Sequence, residues 1–291
     1  NVQILSDELV QNGNFEQIGS EEVTNGDFSQ IGSEEVTNGD FSTSGTPNTS
    51  SWSLGWYSNT NNVIISDGKL TMTNSASESD ARAYVTNGTS SNNILTTNKF
   101  YKLQYDIVSN NGVTDFKYYS EAGTFISVPS VEVGSYTIYI RNTSNSLFLF
   151  QNGTSNSSIS IDNVSVKEVG QNWSFGTGWS MGDGKAVRTG TTSSGLTQSG
   201  SFNNGKKYKL QFTISDYVGG SIKGEFSGGG GSDLFFTSNN IGNGTFSFIT
   251  ETTINRNTLQ FYAFNSFSGS IDNISVVEVL GDKPRIDYSD S

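Results

Sequence analysis

The chain has 291 residues, enough for about two domains of ordinary size, and contains neither cysteine nor histidine. That removes thiol nucleophiles, Cys/His zinc sites, His-based triads and the usual neutral-pH proton shuttle. Lys and Arg number 16 against 28 Asp and Glu, a net charge of -12; nucleic acid and membrane insertion are therefore not expected, and no apolar run approaches the roughly 20 residues that cross a bilayer.

The first element in chain order is a thirteen-residue repeat: ELVQNGNFEQIGS at 8–20, EEVTNGDFSQIGS at 21–33 and EEVTNGDFS again at 34–42. Each unit reads as a short extended segment around Val, an Asn-Gly turn signal and a second short segment. The third copy alone continues into a domain, so residues 1–33 are expected to be a separate N-terminal repeat segment. Two readings of it stay open: spare copies left as a stalk by slippage, or a ladder that orders only against neighbouring chains. The opening NVQILSDELVQNG has neither a basic n-region nor an apolar h-region, so no leader is expected within it.

Further on, one long pattern occurs twice. Phe100-Tyr-Lys-Leu-Gln-Tyr105 returns as Lys207-Tyr-Lys-Leu-Gln-Phe212, and Ser160-Ile-Asp-Asn-Val-Ser-Val166 returns as Ser270-Ile-Asp-Asn-Ile-Ser-Val276. The spacing is kept, 61 residues from Tyr101 to Asp162 and 64 from Tyr208 to Asp272. Within each copy Tyr101, Leu103, Tyr105 and Ile107 alternate with polar residues, as do Tyr208, Leu210, Phe212 and Ile214, which puts one face of each strand on a core. No stretch carries a helical stripe. Short strands with Gly, Asn and Ser turns and no crossover helices pair antiparallel, and a one-faced sheet needs a second sheet against it. The expected fold is all-β: two tandem antiparallel β-sandwiches at 34–169 and 170–280, then a linker at 281–291.

In the last strand of each copy the apolar phase slips by one residue, from Ile159 and Ile161 to Val164 and Val166, and from Ile271 to Ile274 and Val276. One extra residue at Asp162-Asn163 and at Asp272-Asn273 restores the phase, which is a β-bulge. Gly228–Gly231 reads as a hairpin tip, because no helix and no Lys-Ser/Thr follow to make it a phosphate loop.

The order Glu35-Val-Thr-Asn-Gly-Asp-Phe41, Gly55-Trp56, a Tyr-Lys-Leu strand and a closing Ile-Asp-Asn-Val-Ser-Val resembles the jelly-roll carbohydrate-binding modules appended to xylanases and glucanases, over most of 34–169. The second copy begins differently, Gln171-Asn-Trp-Ser-Phe-Gly-Thr-Gly-Trp179, and then follows the same plan. Tandem modules followed by Lys-Pro-Arg-Ile-Asp-Tyr are similar to stretches of phage tail-fibre and other virion proteins. The resemblance implies a non-enzymatic virion protein, a tail or head fibre or decoration. Its partners would be other virion chains, as a homo-oligomer and plausibly a trimer, with a host-surface glycan. Its location would be the virion surface or outside the cell. The alternative is a pair of carbohydrate-binding modules from a secreted bacterial polysaccharide-degrading or adhesion protein. It also implies a structural calcium tying first strand to last, for which the matching positions are Asp40 and Asp162 in the first module and only Asp272 in the second, which lacks the Asn-Gly-Asp-Phe start. Oxygen ligands of this kind suit a hard cation.

Sugar binding on such folds uses aromatic faces with amides and carboxylates beside them. The candidates are Trp52, Trp56, Tyr57, Tyr139, Phe148 and Phe150 in the first module and Trp173, Trp179, Tyr262 and Phe264 in the second. Trp56 and Trp179, each after Gly, read more simply as plugs of the sandwich end, since large aromatics are mostly buried. For glycosidase chemistry an unequal pair of carboxylates is required; Glu21-Glu22 and Glu34-Glu35 read as solvated repeat residues, and Glu168 and Glu278, at matching places, as structural. No catalytic residue is assigned.

Overall fold

The computed structural model describes residues 10–11, 18–44, 52–54, 63–77, 81–85, 94–119, 124–142, 149–238, 241–281 and 285–286. Every element among them is a strand, and every pairing is antiparallel. The chain divides into two compact units, one of residues 30–171 and the other of residues 1–29 together with 172–291.

The 30–171 unit, the first module, has two sheets. One runs in the order Phe125–Ser127, Phe116–Tyr119, Leu149–Asn152, Ala81–Val85, Trp52–Leu54. The other runs Gly134–Arg141, Phe100–Asn111, Ser157–Val169, Lys69–Asn74, Val63–Ser66. Alternation does what the sequence requires: Tyr101, Leu103, Tyr105 and Ile107 are buried, and they share one core with Ile159 and Ile161 and with Ala81, Ala83, Phe116 and Phe150 from the facing sheet. The rings of Phe116 and Phe150 stack with centroids 5.1 Å apart.

The second module follows the same plan with longer strands. Lys207–Gly228 and Arg256–Val279 pair with each other twice, first through Tyr208–Ser215 against Ser270–Glu278, then through Ser221–Ser227 against Thr258–Phe264. Between the two stretches the chain bends, with positive φ at Asp216, Gly220, Asn265 and Ser266. At Gly220 a Cβ would run into the Phe267 backbone, so only glycine fits the corner. The bend folds the sheet on itself and closes the core, where Phe212 lies 5.1 Å from Phe236 and 5.0 Å from Phe261.

The structure changes the reading of the repeat. Within the expected 1–33 segment, residues 18–33 do not stand apart from the modules, and neither a stalk nor an inter-chain ladder describes the second copy. Ile31–Glu34 pairs with the closing strand of the first module (Ile31 with Val169, Glu34 with Lys167), and Ile18–Glu21 pairs in the same way with the closing strand of the second (Ile18 with Val279, Glu21 with Val277). Glu34 to Phe41 of the third copy thus opens the first module, led in by Ile31–Ser33 at the end of the second copy, and Glu21 to Phe28 of the second copy opens the second module, led in by Ile18–Ser20 at the end of the first, so the first module is inserted within the second. The second module therefore does have an Asn-Gly-Asp-Phe start, Asn25 to Phe28, supplied from 144 residues before its neighbour Asn172 resumes the fold if counted from Phe28 to Asn172. Sequence reading places the boundary by adjacency along the chain, whereas pairing is decided by which edge a strand can cover.

The contacts of the two docked copies correspond one to one. Glu34 Oε1 accepts from Val166 N (2.7 Å) and its Oε2 from Ser165 Oγ (2.6 Å); Glu21 Oε1 accepts from Val276 N (2.7 Å) and its Oε2 from Ser275 Oγ (2.5 Å). Gly39 O accepts from Val164 N (2.8 Å), and Gly26 O from Ile274 N (2.9 Å). Those two donors are bulge residues. The bulges fall where the sequence puts them, with positive φ at Asn163 and Asn273 and a shift of register after Asp162 and after Asp272. Their effect is to turn a backbone N–H away from the ladder and towards the docked repeat. A Cβ on Gly26 or Gly39 would collide with the carbonyl oxygen of Ile274 or Val164, which fixes glycine at both positions.

Candidate functional site

Four of the aromatic candidates are structural. Trp52, fully buried, packs on Phe41 with centroids 5.2 Å apart and donates its indole N–H to Asn38 O (3.2 Å). Trp173 does the same in the second module, 5.5 Å from Phe28 and donating to Asn25 O (3.0 Å). These tryptophans clamp the docked repeats. Trp179, 2% exposed, donates to Ser194 O and packs near Phe267. Phe150 points into the core. Each was a candidate because an aromatic's side of a strand shows in the local alternation, but the segment that covers it comes from far along the chain. Trp56, Tyr57 and Phe148 lie outside the described residues. Tyr139 is half-buried on Gly134–Arg141, the edge strand of the six-stranded sheet, opposite Lys102.

Tyr262 and Phe264 do face outwards, because Leu259, Phe261 and Ala263 between them take the inward positions. Register sets Gly195, Tyr262 and Lys223 side by side on three adjacent strands, and Thr197, Gln260 and Glu225 in the next outward row. Tyr262, Lys223, Glu225 and Gln260 thus form a two-by-two block. Lys223 Nζ lies 5.2 Å from the Tyr262 ring centroid and 2.8 Å from Glu225 Oε2. Glu225 is only 4% exposed, and the ammonium beside it satisfies a carboxylate that burial alone would penalise. Gly195 leaves room in front of the block: a Cβ there would press on the Gln260 amide.

The matching sheet of the first module has a related outer face. Lys117, Gln151 and Arg82 lie in one row across three strands. Tyr119 and Phe125 follow, ring centroids 5.1 Å apart, with the Arg82 guanidinium 4.9 Å over the Phe125 ring. Lys117 Nζ pairs with Asp115 Oδ2 at 2.6 Å. An aromatic face bordered by amide and charged groups offers what a pyranose ring needs, a flat apolar surface and hydroxyl partners. Sequence reading misses Arg82, Lys117, Tyr119, Gln151, Lys223, Glu225 and Gln260. Their only local signal is the polar phase of a strand, which every solvated residue shares.

Of the calcium candidates, Asp40 Oδ1 accepts from Ser42 N and Oγ (3.3 and 3.0 Å), Asp162 Oδ1 from Asn163 N (2.6 Å), and Asp272 Oδ1 from Asn273 N (2.7 Å). Asp27 stands in the second module where Asp40 stands in the first, with the same bonds to Ser29. Burial, together with the Asp27 charge, raises the Asp272 carboxyl above the usual range. Among the described residues no three Asp, Glu, His or Cys side chains gather as a metal-binding group. A cation at these bulges would have to complete its shell from main-chain and amide oxygens.

Glu168 and Glu278 are paired with Lys99 (2.9 Å) and Lys206 (2.7 Å) at equivalent places, a structural role in both modules.

No protein-family model and no curated protein matches the chain. Among solved structures it is similar to the tandem CBM22 domains of Xyn10C from Paenibacillus barcinonensis, at TM-score 0.36 and 9% identity over 86% of this chain and 98% of that one. It is also similar to allantoicase from Saccharomyces cerevisiae, at TM-score 0.30 and 10% identity over 78% and 88%. A third likeness is to a fucolectin from striped bass, Morone saxatilis, at TM-score 0.27 and 9% identity over 72% and 85%.

Proposed function

We propose that the chain is a non-catalytic carbohydrate-binding protein whose two modules each present a glycan-binding sheet face. The observation that carries this is the block of Tyr262, Lys223, Glu225 and Gln260, an aromatic ring, an ion pair and an amide on one sheet face. The row Lys117, Gln151, Arg82 with Tyr119 supports a second, differently charged face in the first module. Tyr262 supplies the stacking surface; Gln260 and the Lys223–Glu225 pair take the hydroxyls. A glycan array read with Tyr262→Ala and Arg82→Ala tests this. Each substitution should weaken binding roughly ten-fold, the worth of one stacking or charge-assisted contact, with melting unchanged. Binding to no glycan by the wild-type chain sinks the proposal.

The setting we propose is a phage fibre or decoration protein on the virion surface, supported by the tandem modules and the Lys-Pro-Arg-Ile-Asp-Tyr segment. As such it would assemble with other virion chains as a homo-oligomer, a trimer; a monomer by light scattering favours the secreted bacterial module pair instead. Calcium at the Asp40–Asp162 and Asp27–Asp272 positions belongs to the same proposal. Chelator should lower the melting temperature, and an unchanged value removes the ion.

A further inference from the structure

Three copies of the repeat stand before two modules, and each module takes one. The side chains that make the docking contacts are Glu (to the closing-strand N–H and Ser hydroxyl), Gly (by lacking a Cβ) and Phe (against Trp), with a buried Val. Asn25 and Asn38 hold the positive φ of the turn. The first copy keeps every one of these: Glu8, Val10, Asn12, Gly13 and Phe15.

Over Glu8 to Phe15 it departs from the second copy at three places, Leu9 for Glu22, Gln11 for Thr24 and Asn14 for Asp27, and just beyond them Glu16 stands for Ser29. None of the three demands the residue that the docked copy has. Glu22 docks through its backbone N–H to Val276 O (2.8 Å), and its carboxyl is raised by burial and by repulsion from Glu278 and Glu21, so an uncharged residue fits there better. Thr24 meets Gln198 through backbone N and O alone. Asp27 caps Ser29 N, which an Asn oxygen also does.

We propose that Glu8 to Phe15 is a docking strand for a third module of this fold, one whose closing strand carries the same Asp-Asn bulge followed by Ser and Val. Among the described residues, the two closing strands are already covered by Ile31–Glu34 and Ile18–Glu21. The nesting runs inside out, third copy with first module and second copy with second module. Consistently, the backbone of Val10–Gln11 pairs with Arg285–Ile286, beyond the second module's closing strand.

Two measurements on the chain test this. Glu22→Leu, Thr24→Gln and Asp27→Asn together write the first copy's residues into the second copy's place. The second module should then melt within about 2 °C of wild type with Trp173 emission unchanged, whereas Phe28→Ala in a chain lacking residues 1–17 should melt lower by roughly 5 °C or more. A triple variant that falls as far as Phe28→Ala shows that the first copy cannot dock and overturns the proposal. Removing residues 1–17 alone should shift neither module's transition. A fall in either shows that Glu8 to Phe15 serves a module already present, and overturns it equally.

Discussion

Tyr105 brings a phenolic hydroxyl into the first module's core, where it has no hydrogen-bond partner among the described residues. Burial, with Tyr136 and Tyr118 beside it, pushes its ionisation well above the ordinary phenol range. An unpaired buried hydroxyl costs about 1–3 kcal/mol. Tyr105→Phe should therefore stabilise the first module by about 1 kcal/mol, read as a higher denaturation midpoint at an unchanged slope. Asp233 is the opposite case. Arg256 grips both of its oxygens (2.7 and 3.1 Å) with Thr253 adding two more donors, and these hold the carboxyl down at about 2 from an ordinary 3.8. Because the folded value is the lower one, the stabilisation is complete above the ordinary carboxylate range and disappears as pH falls from about 4 through about 2. Asp233→Asn should cost about 3 kcal/mol at neutral pH by leaving a buried guanidinium uncompensated, and should flatten the acid limb of the second module's stability curve. A steep acid limb in that variant would assign the transition to other carboxylates.

Among elements, the docked repeats separate what is close in sequence from what is close in space. Glu21 and Glu34 sit at equivalent positions of adjacent copies, yet they bind Val276 N and Val166 N in different modules. Each accepts two charge-assisted bonds from the closing strand, worth about 1.5–3 kcal/mol apiece, and a third from Val23 N or Val36 N within its own copy. Glu34→Ala should lower only the first module's transition and Glu21→Ala only the second's, by about 2 kcal/mol each, as resolved by calorimetry. Equal effects on both transitions would refute the one-copy-per-module pairing. The strands themselves are legible in the sequence because Tyr101 to Ile107 and Tyr208 to Ile214 are governed by local alternation, and so are the bulges, because a phase slip cannot otherwise bury Val164 and Val166. Trp52 and Trp173 are misread because the segment that buries each, Phe41 or Phe28, is placed by an edge pairing that no local pattern encodes. The proposed binding faces are legible only at Tyr262 and Phe264. Lys223 and Glu225 look solvated until register sets them beside Tyr262 and Gln260.

Taken whole, the chain is an insertion. Ile31 pairs with Val169, so the inserted unit begins and ends on neighbouring strands, which is the arrangement that lets a host fold accept a guest. Limited proteolysis near Gly170 should therefore not release a complete second module. Its C-terminal piece should melt lower than the intact chain until residues 18–29 are supplied as a peptide, and a piece as stable as the parent would contradict the insertion. The bond from Ser275 to Glu21 spans 254 positions. During translation residues 18–28 leave the ribosome before the guest is made, while the strand they wait for follows it. The guest is finished in between, and its compact ends shorten the loop that the host must close. Ribosomes that stall before Val279 would thus yield a sound guest inside an unclosed host. A completed host certifies that synthesis has run past that point.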